Sequence, residues 1–329
     1  MTSSSSSQQV SGYEASQSRP STCFSCTRLN PTTFLVVEDD QWQEMPFIYA
    51  KVLSSVIVLV DTGCGGAARE PSVQLTSLRE FIETYPVSDN DGVPLNPDGK
   101  KEYAVVCTHC HYDHIGGIAQ FVGNTSSIWA SSNDKGFIQD DLPTNSLCRF
   151  VGMETPKYAV TNWASDGESI RHRPSDKSDA EDLGLVIYHT PGHTPDELAI
   201  WDAGERTIFV GDSLYEWAPI IFPREGNLRD YSATLSKLKS LVKQWNHEST
   251  PEKKVKMACG HTTSAVDAEE FLMEVERFLS KVNRGLIEPK DRGEARGVKL
   301  VGYENEDGRI SFLGPKQLFD DVKVDQCPA

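Results

Sequence analysis

The decapeptide from Thr108 to Gly117, THCHYDHIGG, constrains this chain more than any other stretch, because it places three imidazoles and a carboxylate within six positions. Only eight histidines occur in the whole chain. A cluster of this density points to metal binding rather than to an exposed polar turn. In an extended strand end, side-chain direction repeats every two residues, so His109 and His111 project to the same side and can share one ion. Where the chain turns into a helix after His111, Asp113 and His114 point in a new direction and can serve a second ion. Two-metal hydrolytic sites hold their ions roughly 3.5 to 4 Å apart.

The surrounding sequence repeats one pattern, an apolar strand that ends in a candidate ligand. The run Val52 to Val60 (VLSSVIVLV) reads as one buried strand delivering Asp61 at its end, with a turn at Gly63 to Gly66. A helix is predicted over Val73 to Tyr85, a surface loop over Pro86 to Lys101, a second strand over Tyr103 to Thr108 and the opening of a helix over Ile115 to Phe121. Further strands at Leu185 to Tyr188, Arg206 to Val210 and Val255 to Ala258 run into His193, Asp212 and His261. In open α/β architectures the rim formed by strand ends is where ligands bind. Apolar residues at helical spacing predict amphipathic helices over Leu228 to Trp245 and Ala265 to Lys281. The stretch Arg292 to Val322, with Asn305-Glu-Asp-Gly308 between apolar runs, reads as a terminal hairpin.

Composition bounds the rest. Residues 1–20 are Ser/Gln-rich and too poor in apolar groups to offset the entropy of ordering, so they read as a disordered tail before one domain over residues 21–329. The 48 acidic and 32 basic side chains give a net charge of −16, which repels phosphate backbones and anionic membranes. With no basic run to reverse that field, neither nucleic acid nor membrane is expected as a partner. No stretch approaches about 18 apolar residues, and the start lacks the order of a signal peptide, so the chain is expected to be cytoplasmic. Its eight cysteines (23, 26, 64, 107, 110, 148, 259 and 327) are read as reduced thiols, and Cys23 and Cys26 lack the second pair that a zinc ribbon needs.

Thr108 to Gly117 resembles the T-H-x-H-x-D-H-x-G-G signature of the metallo-β-lactamase superfamily. Its other motifs follow in order: Asp61 in Val-Asp-Thr-Gly, His193 in Thr-Pro-Gly-His-Thr, Asp212 in Val-Gly-Asp and His261 in Cys-Gly-His-Thr. The resemblance covers roughly residues 30–280 and implies an α/β fold, an αββα sandwich of two mixed sheets with helices outside. It implies that His109, His111 and His193 bind a first metal, that Asp113, His114 and His261 bind a second, and that Asp212 bridges both. Two Zn2+ ions per chain suit these donors, as do iron or manganese. It further implies that a metal-bridging hydroxide is the nucleophile, with Asp113 orienting it. Asp61 is expected outside the ligand shell, holding a ligand imidazole by its far nitrogen, the alternative being a strand-end turn cap. His189 is read as a structural support for its loop rather than an acid catalyst, and His172 and His247 as surface residues.

The ligands fix the reaction class more firmly than the substrate. In the zinc β-lactamases proper a Cys commonly stands where Asp212 stands here, so the chain resembles the glyoxalase II and lactonase side, and in its acidic, Ser-rich style fungal members that open lactams and lactones. Tyr215, Trp217 and Phe222, with Ile220 and Ile221, are candidate walls of an apolar substrate pocket, or else core beneath the following helix. The primary expectation is therefore a binuclear zinc hydrolase opening a small lactam or lactone. An acyl thioesterase of glyoxalase II or polyketide type is the alternative, for which Lys237, Lys239 and Lys243 could anchor the carrier. A mono-iron persulfide dioxygenase is disfavoured by the full second ligand set.

Overall fold

The structure, a computed structural model, describes residues 19–123, 126–175, 177–250 and 253–324. The tail expected over residues 1–20 lies outside the described residues except for Arg19 and Pro20.

Seven strands form the first sheet in sequence order: β1 (Phe24–Arg28), β2 (Thr33–Glu38), β3 (Phe47–Val52), β4 (Val56–Val60), β5 (Glu102–Val106), β6 (Ser126–Ser131) and β7 (Asn162–Ala164). The first four are antiparallel and β4 to β7 are parallel. The second sheet contains β8 (Glu168–His172), β9 (Glu181–His189), β10 (Leu198–Asp202), β11 (Thr207–Phe209), β13 (Lys256–Ala258) and β14 (Val266–Asp267), in the order β14-β13-β11-β10-β9-β8. A third, smaller sheet has the order β12 (Pro219–Ile221), β17 (Ser311–Pro315), β16 (Val298–Glu304), β15 (Lys290–Ala295).

Two-residue periodicity explains how the layers stack. Along β4, Val56, Val58 and Val60 face the second sheet and pack on Ile187, Ile200 and Phe209, while Ile57 and Leu59 face outward onto α1 (Leu78–Thr84) through Phe81 and Ile82. The outer face of the second sheet is covered by α6 (Leu228–His247) and α7 (Ala268–Asn283), which bury Leu235, Leu238, Val242, Phe271, Val275 and Phe278. The result is the helix-sheet-sheet-helix order that the resemblance implied. Short helices α2 (Tyr112–Ile115), α3 (Lys135–Gln139), α4 (Leu142–Asn145) and α5 (Cys148–Val151) fill the strand-end side, and α8 (Lys316–Val324) closes the chain on the third sheet. Among the described residues, no helix is long and apolar enough to cross a membrane.

Three sequence expectations need correction. The run Val52 to Val60 is not one strand: it breaks at Leu53-Ser54-Ser55, where the Leu53 N–H donates to the Val56 carbonyl and turns β3 into β4. The region read as a terminal hairpin does contain one, β16 and β17 around Asn305 to Gly308, but β15 precedes it, α8 follows it and β12 pairs with it from far upstream. His172 is not a surface residue: it is 6% exposed, and its Nε2 lies 2.9 Å from Glu102 Oε2, tying β8 to β5 of the other sheet. His247 is exposed, at the end of α6.

Candidate metal centre

β4 and β5 run parallel and end side by side, which sets Asp61 against Thr108. Asp61 Oδ1 accepts from the Thr108 N–H at 2.7 Å, and Oδ2 accepts from the Thr108 hydroxyl at 2.8 Å. The same Oδ2 lies 2.8 Å from His114 Nδ1. Asp61 thus ties the strand ends and holds the His114 imidazole with one carboxylate. The close approach of the turn after Asp61 explains Gly116: a Cβ there would lie 2.5 Å from the Cys64 carbonyl carbon.

His109 and His111 lie beyond the end of β5, and their ring atoms Nε2 and Nδ1 approach to 2.9 Å. His193 Nε2 comes within 3.1 Å of His111 Nδ1, while its Nδ1 is 2.6 Å from the Ile221 carbonyl on β12. These three form one cluster of convergent donors, all buried. Asp113 and His114, on α2, meet Asp212 and His261 in a second. His261 Nε2 is 3.2 Å from Asp113 Oδ2, and His261 Nδ1 is 2.8 Å from the Glu44 carbonyl. Asp212 faces both clusters: its Oδ1 lies 3.4 Å from Nε2 of both His114 and His261, and its Oδ2 lies 3.9 Å from His193 Nε2. Gly260 keeps this space open, since a Cβ there would sit 2.3 Å from Asp212 Oδ1.

Electrostatics separate the two clusters. Burial, with the neighbouring imidazoles adding to it, pulls His109 well below its ordinary range and His111 down to about 3; burial also lowers His193. All three are neutral, the form that ligates metal. Burial also opposes charge on His114 and His261, but Asp113 and Asp212 outweigh it and push both well up. Those imidazolium ions in turn hold Asp113 and Asp212 ionised despite burial. His114 Nε2 and Asp212 Oδ1 are nonetheless buried with no hydrogen-bond partner, an arrangement that costs free energy unless a further group satisfies them. Imidazole nitrogens and carboxylate oxygens converging on two points, two of them orphaned, fit a pair of divalent cations.

The candidate substrate residues divide. Tyr215 is 4% exposed, with its ring 5.8 Å from His261. Trp217 is 67% exposed, and the segment between them runs along the His261 loop, with the Glu216 N–H donating to Thr263 Oγ1 at 2.9 Å. Phe222 is not a pocket wall: it is 1% exposed and packs against Tyr231, Phe312 and Phe319, because Ile220 and Phe222 point into the core while Ile221 points out. His189 supports its loop, its Nε2 lying 2.8 Å from the Ala164 carbonyl. Lys237 and Lys239 pair with Asp166 and Glu276, so they are tied into the surface of the fold, and Lys243 is exposed. Cys23 and Cys26 are both pushed up to about 12, by burial first, and are inert thiols.

Two residues escaped the sequence reading. Glu197 is fully buried, accepts from the Asp212 N–H at 3.0 Å through Oε1 and brings Oε2 to 3.5 Å from His109 Nδ1. Burial first, then the charge of Asp212, pushes its carboxyl well up. The Asp196-Glu197 pair just after the His193 motif was its only local signal. Glu44 orients His261 through a backbone carbonyl 217 positions away, which no side-chain pattern can announce.

A family model described as "Metallo-beta-lactamase superfamily" matches residues 55–244. A protein of Aspergillus versicolor, which carries the name "Putative transcription factor avaE", is 36% identical over 85% of this chain and 82% of its own. "Acyl-coenzyme A thioesterase MBLAC2" of Gallus gallus is 25% identical over 56% of this chain and 63% of its own, so the match spans less than two thirds of that relative. Among solved structures, the metallo-beta-lactamase family protein TTHA1429 from Thermus thermophilus is similar in fold, with a TM-score of 0.53 at 16% identity over 80% of this chain and 85% of that one.

Proposed function

The chain belongs to the metallo-β-lactamase superfamily of metal-dependent hydrolases, and from that premise we propose that it is a two-zinc hydrolase of acyl thioesters. The observation that carries the two-metal part is Asp212, whose two oxygens face different donor clusters. His109, His111 and His193 would hold one ion, Asp113, His114 and His261 the other, and Asp212 both. Two zinc ions held there supply a water that ionises near neutral pH and an electrophile for a carbonyl oxygen.

The chain's own residues favour a thioester over an amide. Asp113, ionised, accepts a hydrogen bond from the attacking water and orients it. A thiol leaving group, with an ordinary pKa near about 8.5, departs as thiolate without a proton donor, whereas an amide nitrogen needs one. His189 and Tyr215, each near enough to be considered as a proton donor, are engaged elsewhere. His189 is bonded to the Ala164 carbonyl, and Tyr215 accepts from the Ile221 N–H while burial pushes its hydroxyl well up, making it a poor acid. The name of the MBLAC2 relative points the same way. The name of the avaE relative suggests nucleic acid, but a net charge of −16 on this chain opposes a phosphate backbone.

Opening of a lactam or lactone is the second reading, favoured by the aromatic shelf that Tyr215 and the exposed Trp217 form beside His261. One experiment separates them: metal content per chain, then a panel of acyl-coenzyme A thioesters, lactams and lactones with and without chelator. Two zincs with chelator-sensitive thiol release supports the thioesterase. Ring opening without thiol release would replace it with the second reading, and one iron with oxygen uptake would overturn both.

A further inference from the structure

The third sheet bridges the two sides of the metal cleft. At one edge, β12 offers the Ile221 carbonyl that orients His193. Three inter-strand spacings away, about 14 Å, the β15–β16 ribbon ends in a two-residue turn, Arg296-Gly297, between paired Ala295 and Val298. Both turn residues have positive φ, 50° and 75°, a geometry that glycine or asparagine fills more easily than arginine. That turn sets the Arg296 guanidinium 4.4 Å from the centroid of Phe150. Phe150 lies on α5, whose Cys148 is buried against Tyr112, which stands between the ligand candidates His111 and Asp113.

A second guanidinium, Arg149, lies 5.5 Å from the same ring. Among the described residues, neither arginine has a carboxylate within ion-pair distance, although the chain carries 48 acidic side chains. Phe150 itself is 48% exposed. Two like charges on one exposed ring repel each other unless an anion sits between them, and forked guanidinium donors match phosphate oxygens. Beside the first cluster, by contrast, Asp134, Glu225 and Asp230 line a cavity of about 310 Å³ that includes Gly192 and Thr194, the neighbours of His193.

We infer that Arg149, Phe150 and Arg296 form an anion-binding platform that takes the phosphate end of a phosphopantetheine-type acyl carrier, leaving its thioester at the metal centre. The inference rests on the thioesterase reading for its substrate but not for its binding site. A tetra-anionic carrier such as coenzyme A would otherwise be repelled by the chain's net charge, and two guanidiniums without a carboxylate partner, one of them donating to Thr144 Oγ1 at 3.0 Å, weaken that repulsion locally.

The test is the affinity of the zinc-loaded full chain for three non-hydrolysable thioethers: S-alkyl-coenzyme A, S-alkyl-phosphopantetheine and S-alkyl-pantetheine, the last without phosphate. The phosphorylated ligands should bind more tightly. Arg149→Gln and Arg296→Gln should each weaken them by about tenfold, and the double variant should bind all three alike with its zinc content unchanged. Coenzyme A binding tighter than phosphopantetheine assigns the free nucleotide carrier, and equal binding of the two assigns a carrier-protein arm. Phosphate-independent affinity, or a double variant that still prefers phosphate, overturns the platform. Loss of thioester turnover with arginine-dependent binding intact would sink the reaction assignment alone.

Discussion

Replacing Asp61 with asparagine tests how the second metal subsite is built. In the wild type its Oδ2 serves both the Thr108 hydroxyl and His114 Nδ1 at 2.8 Å, in a site only 2% exposed. An amide of the same shape can keep one acceptor oxygen toward Thr108, but its NH2 group would then face His114 and demand a bare Nδ1. The imidazole proton would move to Nε2, the atom that must ligate metal. Losing a charged, buried hydrogen bond costs about 1.5 to 3 kcal/mol. Loss of an outer partner of a ligand histidine lowers metal affinity about 10- to 100-fold, or about 1.4 to 2.7 kcal/mol, so the two routes to the magnitude agree. The assay is metal retained per chain against a graded series of competing chelators. One ion should leave about 10- to 100-fold more readily, while the ion held by His109, His111 and His193 keeps its affinity. If Asp61→Asn lowers the melting temperature yet releases both ions as the wild type does, Asp61 is only a tie between β4 and β5.

The two clusters should differ in proton release. His114 and His261 are held protonated above their ordinary 6.5 by Asp113 and Asp212, so loading that subsite at pH 7 must expel protons, and its affinity should fall about tenfold per pH unit per displaced proton on acidification. His109, His111 and His193 are already neutral; titration calorimetry in buffers of differing ionisation enthalpy should find release at one subsite only, and equal release at both would refute the assignment. The same pairs stabilise the metal-free protein below pH 6.5, and that contribution should fade as pH rises through the raised folded-state values, read as a declining melting temperature of the chelated protein. Gly260→Ala should abolish binding at the second subsite, because its Cβ would collide with Asp212 Oδ1; two tightly held ions in that variant would contradict the packing described. Phe222→Ala should cost about 3 to 5 kcal/mol of stability by denaturant titration, whereas Trp217→Ala should change stability by under about 0.5 kcal/mol and raise KM; the opposite pattern would return Phe222 to the pocket.

The part of the site legible in the sequence was the part written locally. His109, His111, Asp113 and His114 announce themselves by density, and His193, Asp212 and His261 by standing where apolar runs end. What stayed hidden depends on contacts between distant segments. The Glu44 carbonyl has no side-chain signature, and Glu197 acts from a position that reads as an ordinary loop acid. The choice between wall and core that the sequence left open for Phe222 had a readable answer, since the alternation of Ile220, Ile221 and Phe222 already puts the first and last on one face. The break at Ser54-Ser55 was masked by the apolar residues on either side. β15 was invisible because all six of its residues are exposed, which leaves no hydrophobic alternation to detect. His172 was misjudged because its partner, Glu102, lies 70 positions upstream.

The order of the ligands along the chain imposes a schedule on its synthesis. The donors of the first cluster are all present once His193 has been made, although the Ile221 carbonyl that orients His193 lies on β12, whose partner β17 comes much later. Asp212 follows, but the second cluster waits for His261 on the loop after β13, a strand that pairs with β11 only when α6 has been traversed. A chain emerging from the ribosome can therefore capture one ion early and the other only near the end. The first ion would then act as a staple between the two sheets while α6 and α7 are still being made, and the pairing of β12 with β17 would fix His193 in its final orientation only afterwards.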